Sequence, residues 1–265
     1  MAVRIERSGP VWTVVHSRPE ARNAVDAKSA EDLCAAFEDF DRDQSADVAV
    51  FWGEGGAFCA GWDLKSVSSL DRADPVGALD FPKDGGKAPR GPLGPSRLEL
   101  SKPVIAAVEG PAVAGGMELA LWCDVRVMAE SAYFGVYCRR WGVPLIDGGT
   151  VRLPRLVGMG KALEIVMTGR KVTAEESYRI GLCEKVVPHG KAREAAEAMA
   201  HEIARFPQQC LRADRLSVYR AWGKPVRAGL ESESATSAGI VRAEGIAGAL
   251  RFASGKGRHG DFGDI

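Results

Sequence analysis

The chain has 265 residues, of which 46% are hydrophobic, and its 35 basic side chains balance 35 acidic ones. This length and apolar content can bury a substantial core, in one large domain or two small ones. The net charge of zero, with no dense run of lysine or arginine, argues against broad binding to nucleic acid or to anionic membranes. We therefore expect a small-molecule partner.

The sequence predicts neither export, nor membrane insertion, nor a metal site. Residues 1–7 lack the apolar core of a signal peptide, and no later apolar run could cross a bilayer, so we expect a cytoplasmic location. The cysteines are scattered without a C-x-x-C pair, which favours reduced core thiols over zinc ligands or disulfides. The histidines also lack metal-ligand spacing; they stand at positions 16, 189, 201 and 259.

The chain begins with a predicted hairpin, a helix and a third strand. Residues 3–7 and 11–16 flank Ser8-Gly9-Pro10 and are typical of two paired strands. Asp26 is a suitable N-cap for the helix that follows. Its apolar residues recur at spacings of three and four, which predicts one buried stripe: Ala30, Leu33, Phe37 and Phe40. The third strand is predicted at 48–52.

Two glycine-rich turns carry the chemistry of this sequence. Residues 53–64 follow the strand at 48–52, and residues 110–119 follow a second apolar strand at 103–108. Glycine lets backbone N–H groups approach a ligand closely, and the start of a helix adds its positive end. Two such turns at the ends of neighbouring strands predict a site that stabilises a carbonyl oxygen as it becomes an enolate.

The segment between these turns predicts neither helix nor strand. Residues 71–97 include ten prolines or glycines, so we expect a mobile loop. The loop could cover the mouth of the site or be a surface insertion without a role, and the sequence leaves both interpretations open.

The rest of the chain continues the alternation of strand and helix. A strand is predicted at 124–128 and a last one at 183–187, with helices at 150–168, 173–180 and 191–205. Beyond Pro188 the chain is predicted to be helical throughout. This pattern predicts a parallel α/β core over residues 1–190 and a helical region over 191–265, whose apolar stripes are buried on the core or on another subunit.

The run Lys102-Pro-Val-Ile-Ala-Ala-Val-Glu-Gly-Pro-Ala-Val-Ala-Gly-Gly-Met-Glu-Leu-Ala-Leu-Trp-Cys-Asp124 resembles the signature of the enoyl-CoA hydratase/isomerase, or crotonase, family. Further stretches extend the resemblance over nearly the whole chain: 57–64, 132–135, 148–150, 174–176 and 181–182. The resemblance implies an α/β spiral of repeated ββα turns with an acyl-CoA site in residues 1–190. It also implies that residues 191–265 pack subunits as homotrimers or hexamers. No cofactor is implied, since CoA is part of the substrate.

The resemblance assigns the groups that bind this substrate. Two backbone N–H groups, those of Trp62 and Gly115, would hold the thioester oxygen, and the indole at position 62 leaves that main-chain donor in place. CoA would lie along a short stretch of backbone: Ala60, Gly61, Asp63, Leu64 and Lys65. Lys256 and Arg258 are candidates to bind the 3′-phosphate.

Glu118 stands where the family has its first catalytic carboxylate. It lies three residues beyond Gly115, about one helical turn from the second oxyanion donor. Burial would raise its pKa, whereas the helix start would favour the ionised form. A simple cap of the helix is the alternative, and the neighbouring motif favours catalysis.

The second carboxylate departs from the hydratase pattern. Cys138 occupies the position of the second Glu of hydratases, and we predict a core thiol of the substrate pocket, because no activating base is near in sequence. Asp147 offers a replacement carboxylate, since it lies three residues before Thr150, as does an acidic residue in the dienoyl-CoA isomerase branch. It could equally be the N-cap of the helix starting near Gly148.

Other enzyme classes fit less well. Phe58 breaks the dinucleotide fingerprint that would start at Gly53, and neither a G-x-x-x-x-G-K-[ST] run nor a G-x-S-x-G elbow occurs. The prediction is a hydratase-like lyase acting on a 2-enoyl-CoA, with Glu118 as acid or base and Asp147 assisting. Isomerisation or thioester hydrolysis through the same enolate is one alternative, and a non-catalytic acyl-CoA binding subunit is another.

Overall fold

The computed structural model describes residues 2–67, 79–257, 259 and 262. In chain order its strands and helices are β1 (Val3–Ser8), β2 (Val11–His16), α1 (Ala27–Arg42), β3 (Val48–Gly53), α2 (Leu64–Val67), β4 (Val104–Val108), β5 (Pro111–Val113), α3 (Gly115–Trp122), β6 (Val125–Ala129), β7 (Tyr133–Gly135), α4 (Gly149–Val157), α5 (Met159–Thr168), β8 (Lys171–Thr173), α6 (Ala174–Arg179), β9 (Lys185–Val187), α7 (Ala192–Ala204), α8 (Gln208–Ala221), α9 (Val226–Ile240) and α10 (Ile246–Ala253).

The strands form a large sheet and a small one. The large sheet has the order β1-β2-β3-β4-β6-β9, in which β1 is antiparallel to β2 and the other neighbours are parallel. The small sheet has the order β5-β7-β8. In two turns of the chain a long strand is followed by a short strand of the second sheet and then a helix: β4-β5-α3 and β6-β7-α4. In the first turn, β1-β2-α1, both strands belong to the large sheet. The result is the spiral of ββα turns that the resemblance implied.

The predicted hairpin and first helix are confirmed. Strands β1 and β2 pair from Val3 with His16 to Ser8 with Val11. The Asp26 carboxylate accepts a hydrogen bond from Ser29 N at 2.7 Å and caps α1. The apolar stripe of α1 is fully buried, with the Phe37 ring centre 5.3 Å from that of Phe51. This stripe covers one face of the large sheet.

The other face of the large sheet is covered by α7. Three small side chains of α7 are buried at spacings of four residues: Ala192, Ala196 and Ala200. Ala196 and Ala200 pack against Val48 and Val50 of β3 and Ile105 of β4. Strands buried on both faces explain why β3 and β4 read as continuous apolar runs in the sequence.

Three sequence predictions need correction or extension. The helix predicted at 150–168 is two helices, α4 and α5, which meet at Gly158 with φ of 79°. The three-residue strands β5, β7 and β8 were not predicted, because so short a strand shows no alternation of apolar and polar residues. The expected mobile loop is wrong for residues 91–96, which are buried; residues 68–78 lie outside the described residues.

The C-terminal region is helical, as predicted, over α7 to α10. Helix α8 is fixed to the core by Asp124, whose carboxylate accepts from Arg215 Nε at 2.8 Å and from the Tyr219 hydroxyl at 2.7 Å. Helices α9 and α10 bury none of their described side chains. No helix in the described ranges has both the length and the apolar character that crossing a membrane requires.

Candidate active site

The two glycine turns lie side by side at the ends of β3 and β4, as predicted. Strands β3 and β4 are parallel neighbours, and beyond them Val113 N donates to Cys59 O at 3.0 Å. A Cβ atom added to Gly116 would lie 2.0 Å from Cys59 O, and one added to Gly61 would lie 2.9 Å from Gly115 N. The turns therefore pack backbone against backbone, which only glycine permits at these positions.

The two predicted oxyanion donors open into one cavity. Trp62 and Gly115 both line a cavity of about 350 Å³. Within the described part of the chain, neither backbone N–H donates to a protein acceptor. Gly115 is also the first residue of α3, so the positive end of that helix adds to the donor. Two unsatisfied amides at a cavity can stabilise an oxygen on which negative charge develops.

Glu118 is buried in the wall of this cavity, with 2% of its surface exposed. Its Oε1 accepts hydrogen bonds from Asp147 N at 2.9 Å and Gly149 N at 2.8 Å, at the start of α4. The alternative that Glu118 caps its own helix is therefore wrong. No described residue donates to Oε2. One carboxylate oxygen is fixed by backbone, and the other stays available for chemistry.

The environment of Glu118 suits acid-base work. Burial, followed by the negative charge of Asp147, raises the pKa of Glu118 from 4.5 to about 7, although the Gly149 and Asp147 amides oppose this shift. A carboxyl with a pKa near neutrality can accept a proton and return it at the same pH.

Asp147 is also buried, with 3% of its surface exposed, but its carboxylate is already occupied. Its Oδ1 accepts from Leu93 N at 3.1 Å and from the Ser96 hydroxyl. The N-cap of α4 is Gly148, which makes no side-chain cap, so the interpretation of Asp147 as the cap is wrong. Burial raises the pKa of Asp147, while the bonds from Ser96 and Leu93 oppose the rise.

Residues 91–96 form one wall of the site. The Leu93 side chain lines the cavity, and a Cβ added to Gly115 would lie 2.0 Å from Leu93 Cδ1. Arg152 donates to Ser96 O at 2.8 Å and to Asp147 O at 3.0 Å, which fixes this segment to α4. The signal in the sequence was Gly91-Pro-Leu-Gly-Pro95, where one apolar side chain stands among rigid turn residues.

Comparison with known proteins identifies the chain. The sequence pattern of the enoyl-CoA hydratase/isomerase family matches residues 6–247. The chain belongs to this family. Enoyl-CoA hydratase EchA19 of Mycobacterium tuberculosis is 37% identical over 207 residues, which cover 76% of this chain and 73% of that protein. Carnitinyl-CoA dehydratase of Salmonella typhi is 36% identical over 231 residues, which cover 86% of this chain and 84% of that protein.

Solved structures of the enoyl-CoA hydratase/isomerase family share the fold. An enoyl-CoA hydratase from Bacillus anthracis superposes with a TM-score of 0.86 at 28% identity. An enoyl-CoA hydratase from Mycobacterium tuberculosis H37Rv gives a TM-score of 0.86 at 30% identity. Each comparison covers 96% of both chains. The crotonase-like fold expected from the sequence is therefore confirmed.

Cys138, at the position of the second Glu of hydratases in this family, lines the cavity and is 8% exposed. Burial and the nearby charge of Glu118 raise the pKa of its thiol. A thiol of this kind stays protonated at neutral pH, which favours the predicted core thiol over a nucleophile.

The predicted CoA-binding stretch lies only partly at the cavity. Ala60 and Leu64 line it, whereas Gly61, Asp63 and Lys65 do not. The Asp63 carboxylate is instead 3.0 Å from Arg18 in an ion pair.

The two candidates for the 3′-phosphate do not reach the cavity in the described chain. Lys256 follows α10 and is exposed, and it is not among the residues that line the cavity. Arg258 lies outside the described residues.

The sequence analysis missed a group of polar and aromatic residues that line the cavity: Arg22, Tyr133, Tyr137, Arg140 and Trp141. Most belong to β7 or to the short 3₁₀ helix Tyr137–Trp141 that follows it. Of this group only Tyr133 lies in a family motif, 132–135; the place of the others at the cavity depends on how distant segments fold together.

Proposed function

We propose that this chain catalyses the reversible addition of water to 2-enoyl-CoA thioesters, with Glu118 as the acid-base group. One observation carries the proposal: Glu118, with a pKa of about 7, lines the same cavity as the amides of Trp62 and Gly115. A thioester held by both amides would present its unsaturated carbons to this carboxylate, provided that the acyl chain enters the cavity.

The reaction needs a proton to move from water to carbon. Glu118 removes a proton from water as the water oxygen bonds to Cβ, and the electrons of the double bond move towards the thioester oxygen. Hydrogen bonds from Trp62 N and Gly115 N strengthen as charge develops there, and one such donor contributes about 2.7–4 kcal/mol to transition-state stabilisation. The protonated Glu118 then gives its proton to Cα.

Asp147 assists this chemistry through its charge. Its Oδ1 is bonded to Leu93 N and to the Ser96 hydroxyl, so we assign proton transfer to Glu118. The negative charge of Asp147 raises the pKa of Glu118 and makes it a better base at neutral pH.

The test is hydration of crotonyl-CoA and longer 2-enoyl-CoA thioesters, followed by loss of absorbance of the conjugated thioester. We expect Glu118→Gln to lower kcat by about 10²- to 10⁴-fold, the usual contribution of a general acid-base group. Glu130→Gln, a matched change at an exposed position, should leave kcat unchanged. Full turnover by Glu118→Gln on a thioester that the wild type hydrates would contradict the assignment.

Double-bond isomerisation is the second candidate, and Cys138 favours it. A protonated thiol replaces the second Glu of hydratases, and a single carboxylate suffices to move a proton from Cα to Cγ of a 3-enoyl-CoA. Conversion of a 3-enoyl-CoA to the conjugated isomer, without net hydration of 2-enoyl-CoA, would favour isomerisation. Release of free CoA would indicate thioester hydrolysis, and ligand binding without any of these reactions would indicate a binding subunit.

A further inference from the structure

Two arginines line the cavity without an acidic partner. Both Arg22 and Arg140 are exposed, and neither forms an ion pair with a side chain in the described part of the chain. Some other arginines of this chain are paired: Arg18 lies 3.0 Å from Asp63, and Arg170 lies 2.6 Å from Glu176. Cations left without a partner beside a cavity favour an anionic ligand.

The two arginines belong to different elements of the cavity wall. Arg22 is next to the stretch assigned to CoA, because its carbonyl oxygen accepts from Ala60 N at 3.0 Å. Arg140 belongs to the 3₁₀ helix that carries Cys138, and the charge of Glu118 acts on that thiol. In the proposed binding mode Arg22 is therefore close to CoA, and Arg140 is close to the acyl chain.

The Arg140 guanidinium is oriented by aromatic contacts. Its central carbon lies 4.8 Å from the Tyr137 ring centre and 5.9 Å from that of Trp141. Its Nε donates to Tyr137 O at 3.4 Å, while Nη1 and Nη2 donate to no described residue. A guanidinium held in this way presents its two terminal nitrogens, which match the two oxygens of a carboxylate.

The tyrosine rings near Arg140 already face protein cations. Lys171 Nζ lies 4.3 Å from the Tyr133 ring centre, and Arg140 covers Tyr137. A positively charged acyl group would meet these cations instead of an open aromatic face, so its binding is disfavoured.

We infer that Arg140 recognises an anionic group at the far end of the acyl chain, so that the preferred substrates are CoA thioesters of dicarboxylic acids. The inference rests on the proposed acyl-CoA ligand but not on which reaction follows. Arg140 is here a specificity-determining residue, and Glu118 keeps its role for every substrate.

The experiment measures Kd by calorimetry for pairs of saturated thioesters of equal chain length, such as adipyl-CoA and hexanoyl-CoA. We expect the wild type to bind the carboxylate-bearing member more tightly for at least one chain length. Arg140→Ala should raise the Kd of the carboxylate-bearing thioester by about 10- to 100-fold, the range of a charge-assisted hydrogen bond. The Kd of the neutral thioester should change by less than about threefold.

Arg139→Ala is the matched control. Arg139 lies on the same 3₁₀ helix, donates from Nε to Val166 O at 3.3 Å and does not line the cavity. Its removal changes the net charge equally and should leave both Kd values unchanged. The inference about Arg140 would be overturned if the wild type bound both thioesters equally at every chain length, or if both variants lost the same affinity for the carboxylate-bearing thioester. Either result would leave the proposed function standing. Failure of every acyl-CoA to bind would overturn the proposed function as well.

Discussion

Glu118 destabilises the folded protein when it is ionised. Its pKa rises from 4.5 to about 7 on folding, chiefly because the carboxyl is buried. The folded state therefore binds more protons between these two pKa values, and stability falls as the pH rises through this window. The full effect above pH 7 is about 3 kcal/mol, since each unit of pKa corresponds to about 1.4 kcal/mol. A group suited to catalysis thus weakens the fold.

The first prediction follows from this penalty. Glu118→Gln should raise the free energy of unfolding by about 1–3 kcal/mol at about pH 8 and by clearly less at about pH 5, because glutamine is neutral at both. The neutral amide oxygen can still accept from Asp147 N and Gly149 N. Urea unfolding at the two pH values measures the effect, with Glu130→Gln as the exposed control. An equal change at both pH values would contradict the prediction, because it would show that the effect of Glu118 on stability does not depend on its ionisation between these pH values.

The second prediction concerns Asp147. Because its charge raises the pKa of Glu118, Asp147→Asn should lower that pKa and move the acidic limb of the kcat/KM profile to lower pH. Asparagine can still accept from Leu93 N and the Ser96 hydroxyl through its amide oxygen. The measurement is kcat/KM from about pH 5 to 9 on the best 2-enoyl-CoA. Loss of activity at every pH, in a folded variant, would show that Asp147 transfers a proton itself.

At the scale of the elements, the site depends on the close approach of two turns. The third prediction is that Gly116→Ala separates them, because the new Cβ would lie 2.0 Å from the backbone oxygen of Cys59. We expect a loss of about 10²-fold or more in kcat, since a displaced α3 misaligns both the Gly115 amide and Glu118.

A second glycine provides the control for this substitution. Gly160 lies in α5, where an added Cβ meets nothing within 4 Å. Gly160→Ala should stabilise the protein by up to about 1 kcal/mol and leave kcat unchanged, because alanine is the better helix former. If Gly116→Ala kept full activity, the turns would not need their observed contact.

At the scale of the whole molecule, α9 packs against α8, yet the region from the end of α8 to α10 keeps large apolar side chains exposed in the single chain. Large apolar side chains of this region are more than half exposed: Trp222, Val226, Leu230, Val241, Ile246, Leu250 and Phe252. An exposed apolar surface of this kind marks an interface in soluble proteins. We propose that it joins copies of this chain, as a homotrimer or a hexamer.

The fourth prediction tests this interface. The wild type should sediment as a trimer or hexamer, and Leu230→Arg should shift it towards the monomer by placing a charge in the buried contact. Analytical ultracentrifugation across a range of concentrations measures the change. Ala35→Arg, at an exposed position of α1, is the control for the added charge. A wild type that stays monomeric at all concentrations would contradict the proposal.

Much of the architecture and part of the site could be predicted from local sequence. The period of apolar residues in α1, the β-branched runs of β2 and β3, and the glycine turns each act over a few neighbouring residues, so the sequence alone indicates them. The same is true of Glu118, whose spacing from Gly115 is set by one turn of α3.

Tertiary structure decided what the buried groups do. Glu118 binds the start of α4 instead of capping its own helix, Asp147 is held by Leu93 and Ser96, and Arg140 reaches the cavity through the fold of the small sheet. Burial and charge at these positions come from segments far apart in the chain. The pKa of a carboxylate depends on the groups that surround it in space, and no spacing along the sequence determines them.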